Sequence, residues 1–258
     1  MVFITGASSG IGEACAQLYA QKGVPLWLVA RRLNRLEKIK TKLTKEHGGK
    51  ITISHLDITS KSAVAQFFDS QAKALSQVTI LVNNAGLTLG LDPIQNGNTE
   101  DWDTIIDTNV KGLLYITRGF LPLFIKSGKG HIVNLGSVAS RWTYPKGNVY
   151  CASKRAVSSL TEGLRLDLHG TGIRVTEISP GLVKTEFSLV RFKGDRERAR
   201  SVYEGVNCLT AEDIAEAIVW ATERPSHVNI QEMVLYPVDQ ASTNHLIRKP
   251  GEKLPPTK

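Results

Sequence analysis

In the stretch GNVYCASKRAV, residues 147–157, a tyrosine and a lysine stand four positions apart. If this stretch is helical, that spacing is about one turn, so Tyr150 and Lys154 share a face and the ammonium lies near the phenol oxygen. A phenol with an ordinary pKa of about 10 is a poor base at neutral pH, but a neighbouring cation stabilises its anion, each pKa unit being worth about 1.4 kcal/mol. Such a pair moves a proton if its surroundings supply something to react with; otherwise it is solvated surface. Ser137, in NLGSVAS, could hold an oxygen on which charge develops, or simply form a turn. Asn109 interrupts the amphipathic run WDTIIDTNVKGLLYI, where asparagine weakens a helix and demands a partner.

The elements that must position these residues are written as an alternation. Short β-rich runs (MVFIT, VPLWLVA, ITISHLD, VTILVNNAG, HIVNLGS, IRVTEIS and EMVLYPV) alternate with helical patterns near 11–22, 33–46, 60–74, 99–125, 149–168 and 210–223. This predicts an α/β fold, a single doubly wound (Rossmann) domain whose seven-stranded, mostly parallel sheet carries helices on both faces. The 258 residues, 41% of them hydrophobic, are enough for one large core. The expected domain spans 1–247, with an irregular excursion at 182–209 and a loose Pro-rich tail at 248–258.

No apolar run approaches the roughly 20 residues needed to cross a bilayer, and MVFITGASSG lacks the features of a signal peptide, so a cytoplasmic protein without membrane contact is expected. Cys15, Cys151 and Cys208 are too scattered for a disulfide framework or a zinc site. The net charge of +8 comes largely from residues 31–50, where eight Lys or Arg face only Glu37 and Glu46. Leu33, Leu36, Ile39 and Leu43 recur there at helical spacing, so the basic residues form the solvated side of a helix. Without aromatic stacking platforms this is no nucleic-acid groove.

The first strand runs directly into TGASSGIG, which puts Gly6, Gly10 and Gly12, with Ser8, Ser9 and Ile11 between them, at a strand–helix junction. Glycines there permit tight turns and let a pyrophosphate approach free amides at a helix N-terminus, the pattern of a dinucleotide site. After the second strand an NAD site carries an acid for the ribose 2′-hydroxyl; this chain has Arg31 and Arg32, suited to a 2′-phosphate and hence to NADP. Asp57, followed by Ile58, closes the third strand, and Asn84, Ala85 and Gly86 close the fourth, where ligands bind in such sheets. Asp57 could receive the adenine amino group or cap the helix of DITSKSA.

Taken together, TGASSGIG, NNAG, Asn109 in DTNVKG, Ser137 in NLGSVAS, YCASK and ISPG occur in the order and approximate spacing of the short-chain dehydrogenase/reductase family, which the chain resembles from Met1 to about Ser242. GNVYCASK, DLHGTGIRV, SPGLVKTEFSLVRFKGD and HVNI resemble its NADP-dependent 3-hydroxy acid dehydrogenases, also called serine or allo-threonine dehydrogenases. The resemblance implies a catalytic set of Ser137, Tyr150, Lys154 and Asn109, with Asn109 holding a water that links Lys154 to solvent. It also implies NADP bound by the segments above, with Tyr150 and Lys154 at its nicotinamide end, and a homotetramer. Pro180, Gly181, Val183 and Thr185, after the sixth strand, would meet the nicotinamide.

The implied reaction is hydride exchange between NADP and a secondary alcohol or ketone, with a small 3-hydroxy acid of the serine, allo-threonine, 3-hydroxypropionate or 3-hydroxyisobutyrate type as substrate. The segment KTEFSLVRFKGDRERAR, 184–200, could close over it as a lid. Arg191 and Lys193 are candidates for its carboxylate, Phe187 and Phe192 could exclude water, and Arg141 and Lys146 are further cations within range. Lys146 stands where the resembling subgroup has a glycine. A broader carbonyl or 3-oxoacyl reductase would instead need an apolar channel. A non-catalytic NADP sensor would have no use for Ser137, Tyr150, Lys154 and Asn109 together.

Overall fold

A computed structural model describes residues 1–249 of the 258-residue chain. Beyond residue 249 the expected tail lies outside the described residues. Strands β1 (Val2–Thr5), β2 (Leu26–Ala30), β3 (Ile51–His55), β4 (Ile80–Asn83), β5 (Gly130–Leu135), β6 (Ile173–Pro180) and β7 (Glu232–Leu235) form one seven-stranded sheet ordered β3-β2-β1-β4-β5-β6-β7. Every neighbouring pair is parallel, so each connection must cross over the sheet. The crossovers use α1 (Gly10–Gln21), α2 (Leu33–His47), α3 (Lys61–Leu75), α4 (Thr99–Ile106) continued by α5 (Leu113–Ser127), α6 (Asn148–Asp167) and α9 (Ala211–Thr222). The segment expected to be irregular holds two short helices, α7 (Phe187–Arg191) and α8 (Arg196–Ser201).

Alternation along the strands sorts side chains into two cores. Val2, Ile4, Leu26 and Leu28 pack on one face with Tyr19 of α1, Leu36, Ile39 and Leu43 of α2, and Ile214 and Ile218 of α9. Phe3, Trp27 and Val29 point to the other face, where they meet Val64 of α3 and Ile116, Phe120 and Phe124 of α5. Burying each such aromatic contributes about 1.5–3 kcal/mol. On α2 the stripe is one residue shorter than its spacing suggests: Leu36, Ile39 and Leu43 are buried, whereas Leu33 in the first turn stays exposed.

Two features place the site. Strand order reverses between β1 and β4, which opens a crevice at their carboxyl ends. The predicted helix over 99–125 also changes character, with a π turn over Asp107–Gly112 between α4 and α5. That turn contains Asn109, the residue whose type conflicts with a regular helix. Among the described residues no helix is long and apolar enough to cross a membrane, and no group of three or more His, Cys, Asp or Glu is placed to hold a metal.

Candidate active site

A cavity of about 710 Å³ runs along the carboxyl ends of the strands. Its first end is the glycine turn. Gly6 and Gly10 have left-handed φ of +64° and +56°, which other residues rarely adopt, and a Cβ on Gly12 would lie 2.5 Å from Asn84 Nδ2 and 2.6 Å from the Gly6 carbonyl. Asn84 fastens the turn: its Nδ2 donates to the carbonyls of Thr5 (2.9 Å) and Gly6 (3.1 Å), and Thr5 Oγ1 accepts from the Ala85 amide (3.0 Å). Ser9 precedes α1 without capping it, which leaves the first-turn amides open to an anion.

Ser9 Oγ instead accepts from Arg32 Nη2 at 2.6 Å, and Ser8 Oγ accepts from Arg32 Nε at 3.1 Å. The exposed Arg31 lines the same end of the cavity. Asp57 Oδ1 accepts from the amide and hydroxyl of Thr59, at 3.0 and 2.8 Å. Burial alone would raise the Asp57 carboxyl, but these bonds and the field of Arg31 bring it below its ordinary value. Asp57 does not cap the helix of DITSKSA: Ser60 caps α3 by accepting from the Ala63 amide. Open helix amides, left-handed glycines and the guanidinium groups of Arg31 and Arg32 at one end of a long cavity fit a dinucleotide carrying a 2′-phosphate.

At the other end Ser137, Tyr150 and Lys154 come together. One turn of α6 separates Tyr150 from Lys154, both buried, and the ammonium lies 6.0 Å from the Tyr150 ring centroid. Ser137 Oγ lines the same end of the cavity, where it accepts from the Ala139 amide at 3.1 Å and donates to the Pro180 carbonyl at 3.5 Å. Burial pushes the phenol up from its ordinary value, with Tyr144 adding to the rise, against the opposing effects of the nearby Ser137 hydroxyl and the Arg191 charge. Burial likewise lowers Lys154 to about 8, opposed by the field of Glu177. Lys154 Nζ donates to the Leu135 carbonyl at 2.8 Å.

Glu177 went unnoticed in the sequence. It is buried, accepts from Ser179 Oγ at 2.6 Å and packs so closely against Gly136 that no side chain would fit there. Asn109 does not reach the cavity: its Oδ1 accepts from the Leu87 amide (2.8 Å), while its Nδ2 donates to the Leu87 carbonyl (2.8 Å) and to Ser153 Oγ (3.0 Å). Those bonds tie the π turn to the loop after β4 and, through Ser153, to α6 between Tyr150 and Lys154 in sequence.

The cations predicted for substrate separate sharply. Arg191, at the end of α7, reaches into the cavity with its guanidinium carbon 5.4, 5.7 and 5.8 Å from the ring centroids of Phe187, Tyr150 and Tyr144. Its Nη2 donates to the Tyr144 hydroxyl at 2.7 Å, and its Nε is buried without a partner. Arg141 lies outside the cavity, ion-paired with Glu232. Lys146 is exposed on a left-handed turn, φ 66°, and also lies outside it. Lys193 is directed to Asp101 at 2.9 Å. Of the aromatic pair, Phe187 packs edge-on against Tyr150 with centroids 5.5 Å apart, and Phe192 lies under Arg198.

The remaining predicted cofactor residues, Gly6, Ser8, Gly10, Ile11, Ile58, Asn84, Ala85, Gly86, Pro180, Gly181, Val183 and Thr185, line the cavity, whereas Gly12 lies behind the turn. Tyr144, which orients Arg191, was missed; the only hint was an aromatic residue close before Tyr150.

Known proteins resemble this chain over nearly its whole length. The chain is 45% identical over 242 residues to the NADP-dependent 3-hydroxy acid dehydrogenase YdfG of Salmonella typhi, covering 93% of this chain and 96% of that protein. It is 43% identical to sulfoacetaldehyde reductase 2 of Chromohalobacter salexigens, covering 93% of this chain and 95% of that one. The solved closed form of a serine dehydrogenase complexed with NADP+ superposes with a TM-score of 0.89 at 42% identity, covering 96% of this chain and 99% of that chain. The family model for short chain dehydrogenase matches residues 1–195, three quarters of the sequence and both members of the Tyr150–Lys154 pair, and the chain belongs to that family.

Proposed function

We propose that the protein is an NADP-dependent 3-hydroxy acid dehydrogenase that interconverts a small hydroxy acid and its 3-oxo acid. The observation that carries this reading is the Arg191 guanidinium, held against Tyr144, Tyr150 and Phe187 with its Nε buried and unpartnered. A cation fixed beside the proton-transferring phenol suits a substrate whose anionic end lies a few bonds from its alcohol carbon. The names of the similar 3-hydroxy acid and serine dehydrogenases support the same substrate class.

When bound, the nicotinamide gives or takes the hydride. Tyr150 accepts the alcohol proton during oxidation and returns it during reduction, Ser137 holds the substrate oxygen, and Lys154 stabilises the tyrosinate by its charge. Asn109 fixes the π turn against α6, and so keeps the Tyr150–Lys154 face aimed into the cavity. Arg31 and Arg32 hold the 2′-phosphate, and the open N-terminus of α1 receives the pyrophosphate. The family resemblance further implies a homotetramer, which sedimentation at several concentrations tests.

The test of function is a panel of 3-hydroxypropionate, 3-hydroxyisobutyrate, serine and allo-threonine stereoisomers, 2-hydroxyethanesulfonate and 3-oxoacyl esters, followed by NADPH absorbance. The small hydroxy acids should give the highest kcat/KM. Preference for the neutral 3-oxoacyl esters would support the broader reductase reading instead, and preference for the sulfonate would move the substrate class to a different anion.

A further inference from the structure

The segment after β6 brings an acid into the phosphate end of the cavity. Glu186, beside Thr185, accepts from Arg35 Nη1 at 2.8 Å to each carboxylate oxygen and from Arg32 Nη1 at 3.0 Å. Arg32 is the side chain whose other nitrogens reach Ser8 and Ser9 of the glycine turn. The guanidinium assigned to the cofactor's phosphate therefore already holds an internal anion. Burial alone would raise the Glu186 carboxyl, but hydrogen bonds from Arg35 and Arg32 bring it below the usual carboxylate value, so it is charged at neutral pH. Glu13 of α1 feels the fields of Lys42, Arg35, Glu186 and Glu212, and Asp57 feels that of Arg31.

A carboxylate and a phosphate compete for the same guanidinium donors, and two anions sharing one seat repel each other. Three of Arg32's five N–H donors are engaged, with Ser8, Ser9 and Glu186, so a phosphate that takes Nη1 shares that nitrogen with the carboxylate. Arg35 acts in the opposite sense. It contacts both carboxylate oxygens more closely than Arg32 contacts one, and so draws the acid toward α2. We propose that this pair tunes the preference for NADP over NAD: Glu186 is an internal competitor for Arg32, and Arg35 is a positioning residue that holds the competitor aside without touching the phosphate itself. The proposal rests on the assignment of Arg32 to the 2′-phosphate.

The two roles predict opposite signs. Glu186→Gln keeps the shape and removes the charge, so NADPH should bind about three- to fivefold tighter, the size of an exposed charge interaction. Arg35→Ala leaves Glu186 to Arg32 alone and should weaken NADPH by a similar factor. The double variant should match Glu186→Gln, because without the carboxylate Arg35 has nothing to hold.

The experiment is calorimetric titration of the full chain with NADPH and with NADH, for wild type, the two single variants, the double variant and Arg32→Ala, at one low ionic strength. NADH affinity serves as the folding control and should not change in any variant. Equal weakening by Arg35→Ala with and without Glu186→Gln overturns the proposal, since Arg35 would then touch the phosphate. Unchanged or weaker NADPH binding in Glu186→Gln overturns it too. Arg32→Ala separates the premise from the proposal: equal losses of NADPH and NADH refute the assignment of Arg32, whereas an NADPH-selective loss leaves the assignment standing and the Glu186 result decides the rest.

Discussion

The two ends of the cavity are built by different means. At the phosphate end the shape is set by main chain: Gly6 and Gly10 turn left-handed, Gly12 makes room for Asn84, and Asn84 bonds the carbonyls that leave β1. At the substrate end the shape is set by side chains from distant segments. Arg191 rests on Tyr144 and beside Tyr150, and Ser188 donates to Tyr203 at 2.8 Å. A backbone cradle accepts any dinucleotide of the right shape, whereas a side-chain pocket can be re-specified one residue at a time. The difference teaches that damage should separate as well: changes at one end should move cofactor constants, and changes at the other should move substrate constants.

The largest effect should come where both ends meet the reaction. Tyr150→Phe keeps the ring and loses the proton carrier, so turnover should fall by about 10²- to 10⁴-fold while NADPH still binds. Single-turnover kinetics with a cofactor titration check this, and near-normal turnover would remove Tyr150 from the mechanism.

At the phosphate end, Arg31→Ala with Arg32→Ala should cost about 1.5–3 kcal/mol of NADPH affinity, roughly ten- to a hundredfold, with NADH hardly changed. Calorimetry with both cofactors measures it. Equal losses would mean that these arginines support α2 and the glycine turn rather than read the phosphate.

The pH dependence sharpens the comparison at the substrate end. Burial raises Tyr150 and lowers Lys154 to about 8. Oxidation needs the phenol without its proton, so its kcat should rise with pH; reduction needs the proton and should fall as pH rises. Lys154→Gln removes the stabilising cation, so the rising limb of oxidation should move to higher pH. An unmoved limb in that variant would mean that Lys154 does not tune the phenol.

The smallest effect tests whether the side-chain pocket is independent of the cradle. Tyr203→Phe leaves the buried Ser188 hydroxyl without its partner, a loss of about 1 kcal/mol. The KM for the hydroxy acid should rise about threefold to tenfold, with NADPH affinity nearly unchanged. A matching loss of NADPH affinity would show that the two ends are one cooperative unit.

The contrast also explains what could be read from the sequence. Strand and helix patterns, the glycine turn and the Tyr150–Lys154 spacing are local signals, and the sheet, its crossovers and the phosphate end follow from them. Asn109 was legible as a helix breaker, but not the π turn that resolves the conflict or the bonds to Leu87 and Ser153 that occupy its amide. At the substrate end sequence proximity misled. Arg141, Lys146, Lys193 and Arg191 looked alike as cations near the site, yet Glu232 takes Arg141, Asp101 takes Lys193, and a left-handed turn carries Lys146 into solvent. Glu186 pairs with Arg35 across 151 positions and Tyr144 with Arg191 across 47, separations over which one sequence carries no pattern.

The central claim is that the substrate end reads an anion through Arg191. It is tested most directly by the ratio of kcat/KM for a free 3-hydroxy acid to that for its methyl ester, in wild type, Arg191→Ala and Arg191→Lys. The ester lacks the charge but keeps the reacting alcohol, so the ratio isolates the anionic contact from the chemistry. A guanidinium can hold a carboxylate through two parallel hydrogen bonds that an ammonium cannot reproduce. The account predicts a high ratio in wild type, a collapse of about tenfold or more in Arg191→Ala, and partial recovery in Arg191→Lys. A ratio that is the same in all three proteins would contradict it and place the anion-binding group elsewhere in the cavity.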